Sequence, residues 1–165
     1  MSKIIQMLLK ELDAESSITH KMLQRVPNDK LDWQPHQKSM TLKQLAGHVA
    51  ELPSWITMAL TSDGLDFAVT PYQPALVSNT GDLLELHNRS LENGKKSLES
   101  TPEDKFDEDW ILRDGDNILL KTTKGETVRM SLSQTIHHRA QLGVYFRLLN
   151  IPVPATYGPS ADEMH

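Results

Sequence analysis

The sequence predicts an all-α protein: a four-helix bundle with a small hairpin or loop excursion before the last long helix. Three observations lead there. Apolar residues recur at helical spacing over four long stretches. The connectors between those stretches are polar or carry Pro and Gly. Only residues 110–130 break the pattern, with β-favouring runs separated by turn dipeptides. A chain of 165 residues fits one domain, 1–165, with a core of its own.

The elements follow in order. Ser2 can cap a first helix running to about Val26, with Ile4, Leu8, Leu12, Thr19, Met22 and Val26 near helical spacing. Pro27 cannot continue it, because its ring removes a donor and clashes with the preceding turn. Residues 27–40 read as a connector holding Trp33, Pro35 and His36. Thr41 followed by Gln44 has the spacing of a capping box, so a second helix starts there and carries Leu42, Leu45, His48, Val49 and Leu52. Pro53 bends it or ends its first part, and Trp55 to Leu60 resumes it. Residues 62–78, with Gly64, Pro71 and Pro74, read as a loop.

A third helix is expected over 80–99, with Asp82 favourable near its positive end. Leu83, Leu84, Leu86, Leu91 and Leu98 supply its apolar contacts. Gly94 weakens it by up to about 1 kcal/mol relative to Ala. In residues 110–130, Asp114-Gly115 and Lys124-Gly125 read as turns of a hairpin or extended excursion. Ser131 or Ser133 can cap the fourth helix, which runs to about Leu149 and is ended by Asn150 and Pro152. The tail, Pro152 to His165, reads as irregular.

Composition excludes several classes of function. Hydrophobic residues at 38% and charged residues at 24% belong to a globular chain, not a disordered one. The net charge is -5, and the 17 basic residues form no dense run, which argues against nucleic-acid binding and against a polybasic membrane patch. Cysteine is absent, so neither a disulfide nor a thiolate nucleophile is available. No apolar run approaches the roughly 20 residues that span a bilayer, and the first residues lack the uninterrupted apolar region of a signal peptide. A cytoplasmic protein is expected. No Gly-rich phosphate loop, nucleophile elbow or paired-carboxylate motif stands out.

The chemistry-bearing segment is Gln134-Thr135-Ile136-His137-His138-Arg139-Ala140-Gln141. Its adjacent imidazoles lie in a helical run, and His48 lies on another expected helix. Neutral imidazole is the commonest protein ligand for zinc, nickel and related ions, and packed helices can bring such ligands together. The apolar residues of the fourth helix, Leu132, Ile136, Ala140, Leu142, Val144, Phe146, Leu148 and Leu149, nearly encircle it. Such a helix is deeply buried or shared with a second chain, so a homodimer is expected. The same pattern leaves open which of His137 and His138 points inward.

Leu45-Ala46-Gly47-His48-Val49-Ala50-Glu51-Leu52-Pro53-Ser54-Trp55 resembles the second-helix motif of the DinB family. His137-His138-Arg139-Ala140-Gln141-Leu142 with Val144-Tyr145-Phe146-Arg147 resembles its fourth-helix motif, and Tyr157-Gly158-Pro159-Ser160-Ala161-Asp162-Glu163 one branch's C-terminal signature. Val26-Pro27 through Trp33-Gln34-Pro35-His36 fits the connector after helix one. The resemblance implies a DinB/YfiT-like four-helix bundle, commonly a homodimer, with relatives that include metal-dependent enzymes acting with low-molecular-weight thiols. It also implies a metal site with one histidine on helix two and a pair spaced by four on helix four. His48 matches the first and His138 the last. The remaining position is Gln134, which shares a helical face with His138. A glutamine carbonyl is a weaker donor to zinc or nickel than imidazole, so metal binding is expected to be weak or absent.

Blander readings stand beside these. His20, His36, His87 and His165 read as hydrogen-bonding or surface residues, and His137 as a surface or packing residue or one that supports a ligand, and as the ligand itself if the helix is rotated. Arg139 reads as half of a structural ion pair with anion binding as its alternative, Tyr145 as core packing with the site pocket as its alternative, and Glu51 as a solvated carboxylate with orientation of His48 or a base's role as its alternatives. Two functions compete. One is a metal-dependent hydrolase or transferase acting with a low-molecular-weight thiol. The other is a non-catalytic, small-molecule-binding or stress-associated dimeric bundle with a lapsed metal site.

Overall fold

The computed structural model describes residues 2–163, so His165 lies outside the described residues. The first helix, α1 (Lys3–Leu23), is capped by Ser2, whose hydroxyl accepts from the Ile5 amide. It ends three residues short of Val26. Pro27 pushes the residue before it out of the helical region, and the last expected turn unwinds. Thr41 and Gln44 form the expected capping box at the start of α2 (Leu42–Glu51). Pro53 then separates α2 from α3 (Ser54–Thr61). The Ser131 hydroxyl donates to the Leu52 carbonyl at this break, 2.7 Å away.

After α3 the chain forms β1 (Gly64–Asp66), within a segment expected to be a loop. A long connection leads to α4 (Thr80–Ser100), capped by Asn79. Gly94 has a positive reason to be glycine: a Cβ there would stand 2.6 Å from the Pro53 carbonyl oxygen. The third-helix glycine that looked like a weak point is where α4 passes against the proline break.

Then come β2 (Asp109–Asp114), β3 (Asn117–Thr123) and α5 (Lys124–Leu148). The strands form one sheet in the order β1-β2-β3, with β1 parallel to β2 and β3 antiparallel to it. The expected all-α class is therefore wrong. Five helices and a three-stranded mixed sheet make up the described residues. The hairpin was legible, but its third strand was not, because β1 is three residues long and pairs with a strand more than 40 residues on. Gly64 permits that pairing, since a Cβ there would collide with the Ile111 carbonyl.

The start of the last helix is a second correction. Ser131 and Ser133 do not cap it. Thr123 does, in a capping box with Glu126, so Lys124-Gly125 is the first turn of α5 and not a hairpin turn. The extra length carries α5 along both apolar clusters. One cluster gathers Met22, Leu45, Val49, Leu142 and Phe146; the other gathers Leu12, Ile56, Leu98, Val128 and Leu132. The nearly encircling apolar pattern resolves into two faces. Leu132, Leu142 and Phe146 are buried, while Val144 and Leu148 are 58% and 57% exposed.

Candidate functional site

Two helices bring the expected histidines together. His48 projects from α2 and is buried, and His138 projects from α5 and is half-buried. Their rings meet edge to face, with centroids 4.7 Å apart and planes at 77°. His137 is exposed, so His138 is the member of the pair that points inward. Gln134 lies half-buried one turn before His138 and has no hydrogen bond among the described residues.

Each inward imidazole is held at Nδ1. His48 Nδ1 lies 2.8 Å from Glu51 Oε1. A carboxylate only accepts, so His48 carries its proton on Nδ1. His138 Nδ1 lies 2.8 Å from Gln141 Oε1, also an acceptor, and the Gln141 amide nitrogen lies 3.2 Å from His137 Nε2. Both inward rings are thus set as Nδ1–H tautomers with a bare Nε2. Burial lowers the His138 pKa, and the neighbouring His48 and His137 add to that against the Gln141 hydrogen bond. The ring is neutral at neutral pH.

Glu51 is not a solvated helix-face carboxylate. Its side chain is 15% exposed, and its Oε1 accepts from the Tyr72 hydroxyl at 2.8 Å as well as from His48. Burial and the adjacent Glu51 raise the Tyr72 pKa, so this hydroxyl stays protonated and donates. Tyr72 comes from the connection between β1 and α4, and sequence reasoning missed it. Nothing local marks a loop tyrosine as the partner of a carboxylate 21 residues earlier.

His48, Glu51, Ser54 and Tyr72 form the polar end of a cleft of about 620 Å³. Trp55, Met58, Phe67, Trp110, Leu112 and Met130 supply apolar wall. That volume is in the range of small-molecule sites. Trp55 also stands edge-on to His48, with centroids 5.5 Å apart. Trp110 is fixed by its indole N–H, which donates to Ser62 Oγ at 3.3 Å. The sheet thus has a role here, since β1 and β2 contribute Leu65, Trp110 and Leu112 to the cleft.

The remaining residues fall elsewhere. Arg139, beside His138 in sequence, points the other way and is 2% exposed. Its guanidinium pairs with Glu15 Oε2 at 2.6 Å and donates to Thr19 and to the Tyr157 hydroxyl. Tyr145 packs edge-on to Trp33, and its hydroxyl donates to the Met40 carbonyl. His36 is exposed, with Nδ1 accepting from the Lys38 amide, and His20 lies half-buried near His87. His87 is buried, not superficial; its Nε2 meets the Ser16 carbonyl and its Nδ1 has no partner.

The donor set can be tested against a divalent ion. Two imidazoles in edge-to-face contact, each oriented through Nδ1 and without a partner at Nε2 among the described residues, fit the way metal-ligating histidines are usually held. A third strong ligand is missing. No group of three His, Cys, Asp or Glu among the described residues is placed to hold a metal. The position one turn from His138 offers a neutral amide. The residues fit a loosely held ion and do not fit a tight three-imidazole centre.

The fold and site define a helical bundle with a histidine-edged apolar cleft. The model of the DinB family matches residues 1–165, and the chain belongs to that family. Among solved structures, a DinB-like protein from Bacillus subtilis is 18% identical with TM-score 0.66, over 93% of this chain and 95% of that one. A DinB-like protein from Bacillus cereus is 16% identical with TM-score 0.69, over 91% and 95%. A mycothiol-dependent maleylpyruvate isomerase is 18% identical with TM-score 0.56, over 87% of this chain but 64% of that one. At these identities the likeness is one of fold. No curated protein matches. Among the described residues no helix is long and apolar enough to cross a membrane.

Proposed function

We propose that this chain is a metal-dependent enzyme, a transferase or hydrolase that acts with a low-molecular-weight thiol on a small molecule seated in the cleft. One observation carries the reading: two imidazoles from different helices meet edge to face, each engaged at Nδ1 and without a partner at Nε2 among the described residues, and one of them lines a substrate-sized cavity. His48 and His138, with Gln134, would hold one divalent ion, zinc or nickel. Such an ion is a Lewis acid that lowers the pKa of a bound water or thiol. Glu51 and Gln141 fix the tautomers that leave both Nε2 atoms available. Tyr72 stays protonated and keeps the Glu51 carboxylate in place. The apolar walls keep water from the reacting end. The thiol rests on the likeness to a mycothiol-dependent isomerase.

A metal titration of protein purified without a metal column tests this. Wild type binds zinc or nickel weakly, and His48→Ala and His138→Ala bind less. Gln134→His binds at least about tenfold more tightly, because it adds an imidazole. Affinity weakens as pH falls through about 6.5, where free imidazole takes up its proton. Equal binding by all four proteins sinks the site.

Gln134 itself favours a second reading, a small-molecule-binding or stress-associated bundle whose metal site has lapsed. No binding by wild type, with binding restored in Gln134→His, selects it. Under either reading the chain acts as one cytoplasmic domain that pairs with a second copy. The exposed stripe of Ala140, Val144 and Leu148 on α5 supports the pairing. A monomer mass by light scattering at micromolar concentration removes it.

A further inference from the structure

The charge distribution in the cleft restricts what it can hold. Among the described residues that line it there is neither Lys nor Arg, and Glu51 is the one formally charged side chain. A buried carboxylate or phosphate needs cationic or multiple N–H partners to offset its desolvation. This cleft offers a carboxylate instead. Arginines that approach cavities elsewhere are already engaged: Arg139 and Arg147 line a groove under the C-terminal tail, paired with Glu15 and Asp162.

Glu51 has capacity left. Oε1 accepts from His48 and Tyr72, while Oε2 has no hydrogen-bond partner among the described residues. A carboxylate oxygen in that position accepts and cannot donate. Trp55 and Tyr72 flank the same end, and their ring faces attract positive charge and N–H or O–H edges. Met58, Leu65, Phe67 and Leu112 provide apolar surface. The pattern is a mostly apolar slot, edged by the neutral polar side chains Ser54, Thr70, Gln73 and Thr127, in which Glu51 is the one charged acceptor.

We infer that the cleft selects small molecules with an aromatic or branched aliphatic body and a hydrogen-bond-donating head, an amine or an alcohol, seated on Glu51, and that it rejects carboxylates and phosphates. This rests on the cleft being the substrate space of the proposed function and names its substrate class. It sets this chain apart from a protein that works on maleylpyruvate, a carboxylate.

Isothermal titration calorimetry on metal-free protein tests it with one apolar body and three heads: naphthylmethylamine, naphthylmethanol and naphthoate. The amine and the alcohol bind at least about tenfold more tightly than naphthoate, the scale of one charged hydrogen bond made or refused. Glu51→Gln, with an unchanged circular dichroism spectrum, removes most of that preference. Met58→Lys places a cation on the half-buried wall and reverses the order in favour of naphthoate. Naphthoate binding as tightly as the amine to wild type overturns the inference, and so does no binding by any of the three. Because the metal is absent, a failed metal titration leaves this result standing, and tight naphthoate binding would leave the metal site standing.

Discussion

Two carboxylates in this molecule each bridge a nitrogen base and a tyrosine, with opposite outcomes. Glu15 joins Arg139 and Tyr157; Glu51 joins His48 and Tyr72. Around Glu15 the network closes on a buried guanidinium, with Glu15 Oε1 left without a hydrogen bond among the described residues. Arg139 donates to Glu15, Thr19 and Tyr157, Tyr157 donates to Glu15, and the guanidinium is 2% exposed. Around Glu51 the network is open. Glu51 Oε2 and His48 Nε2 have no partners among the described residues, and both side chains line the cleft. The same three-part chemistry serves as a structural tie where the base is a guanidinium bonded to three residues, and as a site where the base is an imidazole with one nitrogen left over. His138 and Arg139 make the contrast sharper. They are neighbours in sequence, yet a helix turns about 100° per residue, so one meets His48 and the other the core.

Arg139→Ala tests the closed half and carries the largest effect. It leaves Glu15 buried without its counter-charge and lowers unfolding stability by about 3–5 kcal/mol, read by urea denaturation. A loss below about 1 kcal/mol would mean the tie is not structural. Tyr157→Phe comes next. It removes hydrogen bonds to two charged groups while keeping the ring and costs about 1.5–3 kcal/mol. If it costs nothing, the tail is not anchored through this hydroxyl.

The neutral histidines give a pH signature. Burial holds His87 below the ordinary imidazole value despite its Ser16 hydrogen bond, and His138 is lowered for the same first reason. The unfolded chain therefore binds more protons in the window just below about pH 6.5. Stability is full above that value and falls as pH drops through the lowered folded values. His87→Gln flattens the decline in a series of melts between about pH 7 and 5. An unchanged slope would place its origin in another group. Glu51→Gln is the smallest effect and the matching control for the open half. It shifts stability by less than about 0.5–1 kcal/mol while changing ligand preference. A loss as large as that of Arg139→Ala would erase the distinction between the two networks.

Features governed by neighbours along the chain were readable in the sequence. Thr41 and Gln44 announced their capping box, Pro53 its break, and Asp114-Gly115 the turn of the hairpin. Thr123 and Glu126 carry the same capping signature but were hidden by Lys124-Gly125, which resembles a turn. Glycine fits there because a Cβ would crowd the Phe106 carbonyl oxygen at 3.2 Å and its ring at 3.3 Å. What depended on distant pairing was not readable. β1 exists through β2, and Tyr72 matters through Glu51. The position of His48 against His138 followed from the resemblance, while the role of Glu51 had one local clue, its spacing of three residues from His48.

The adjacency of His138 and Arg139 has a mechanical consequence. Any rotation of α5 about its axis that swung His138 away from His48 would drag the guanidinium out of its pairing with Glu15 on α1. Such a movement would have to break a buried ion pair, so the Arg139–Glu15 tie opposes rotation of the long helix and keeps the imidazole pair in register. By contrast, Tyr72, on the connection between β1 and α4, reaches Glu51 through one hydroxyl and no charge pair, so its hold on the site is the weaker of the two.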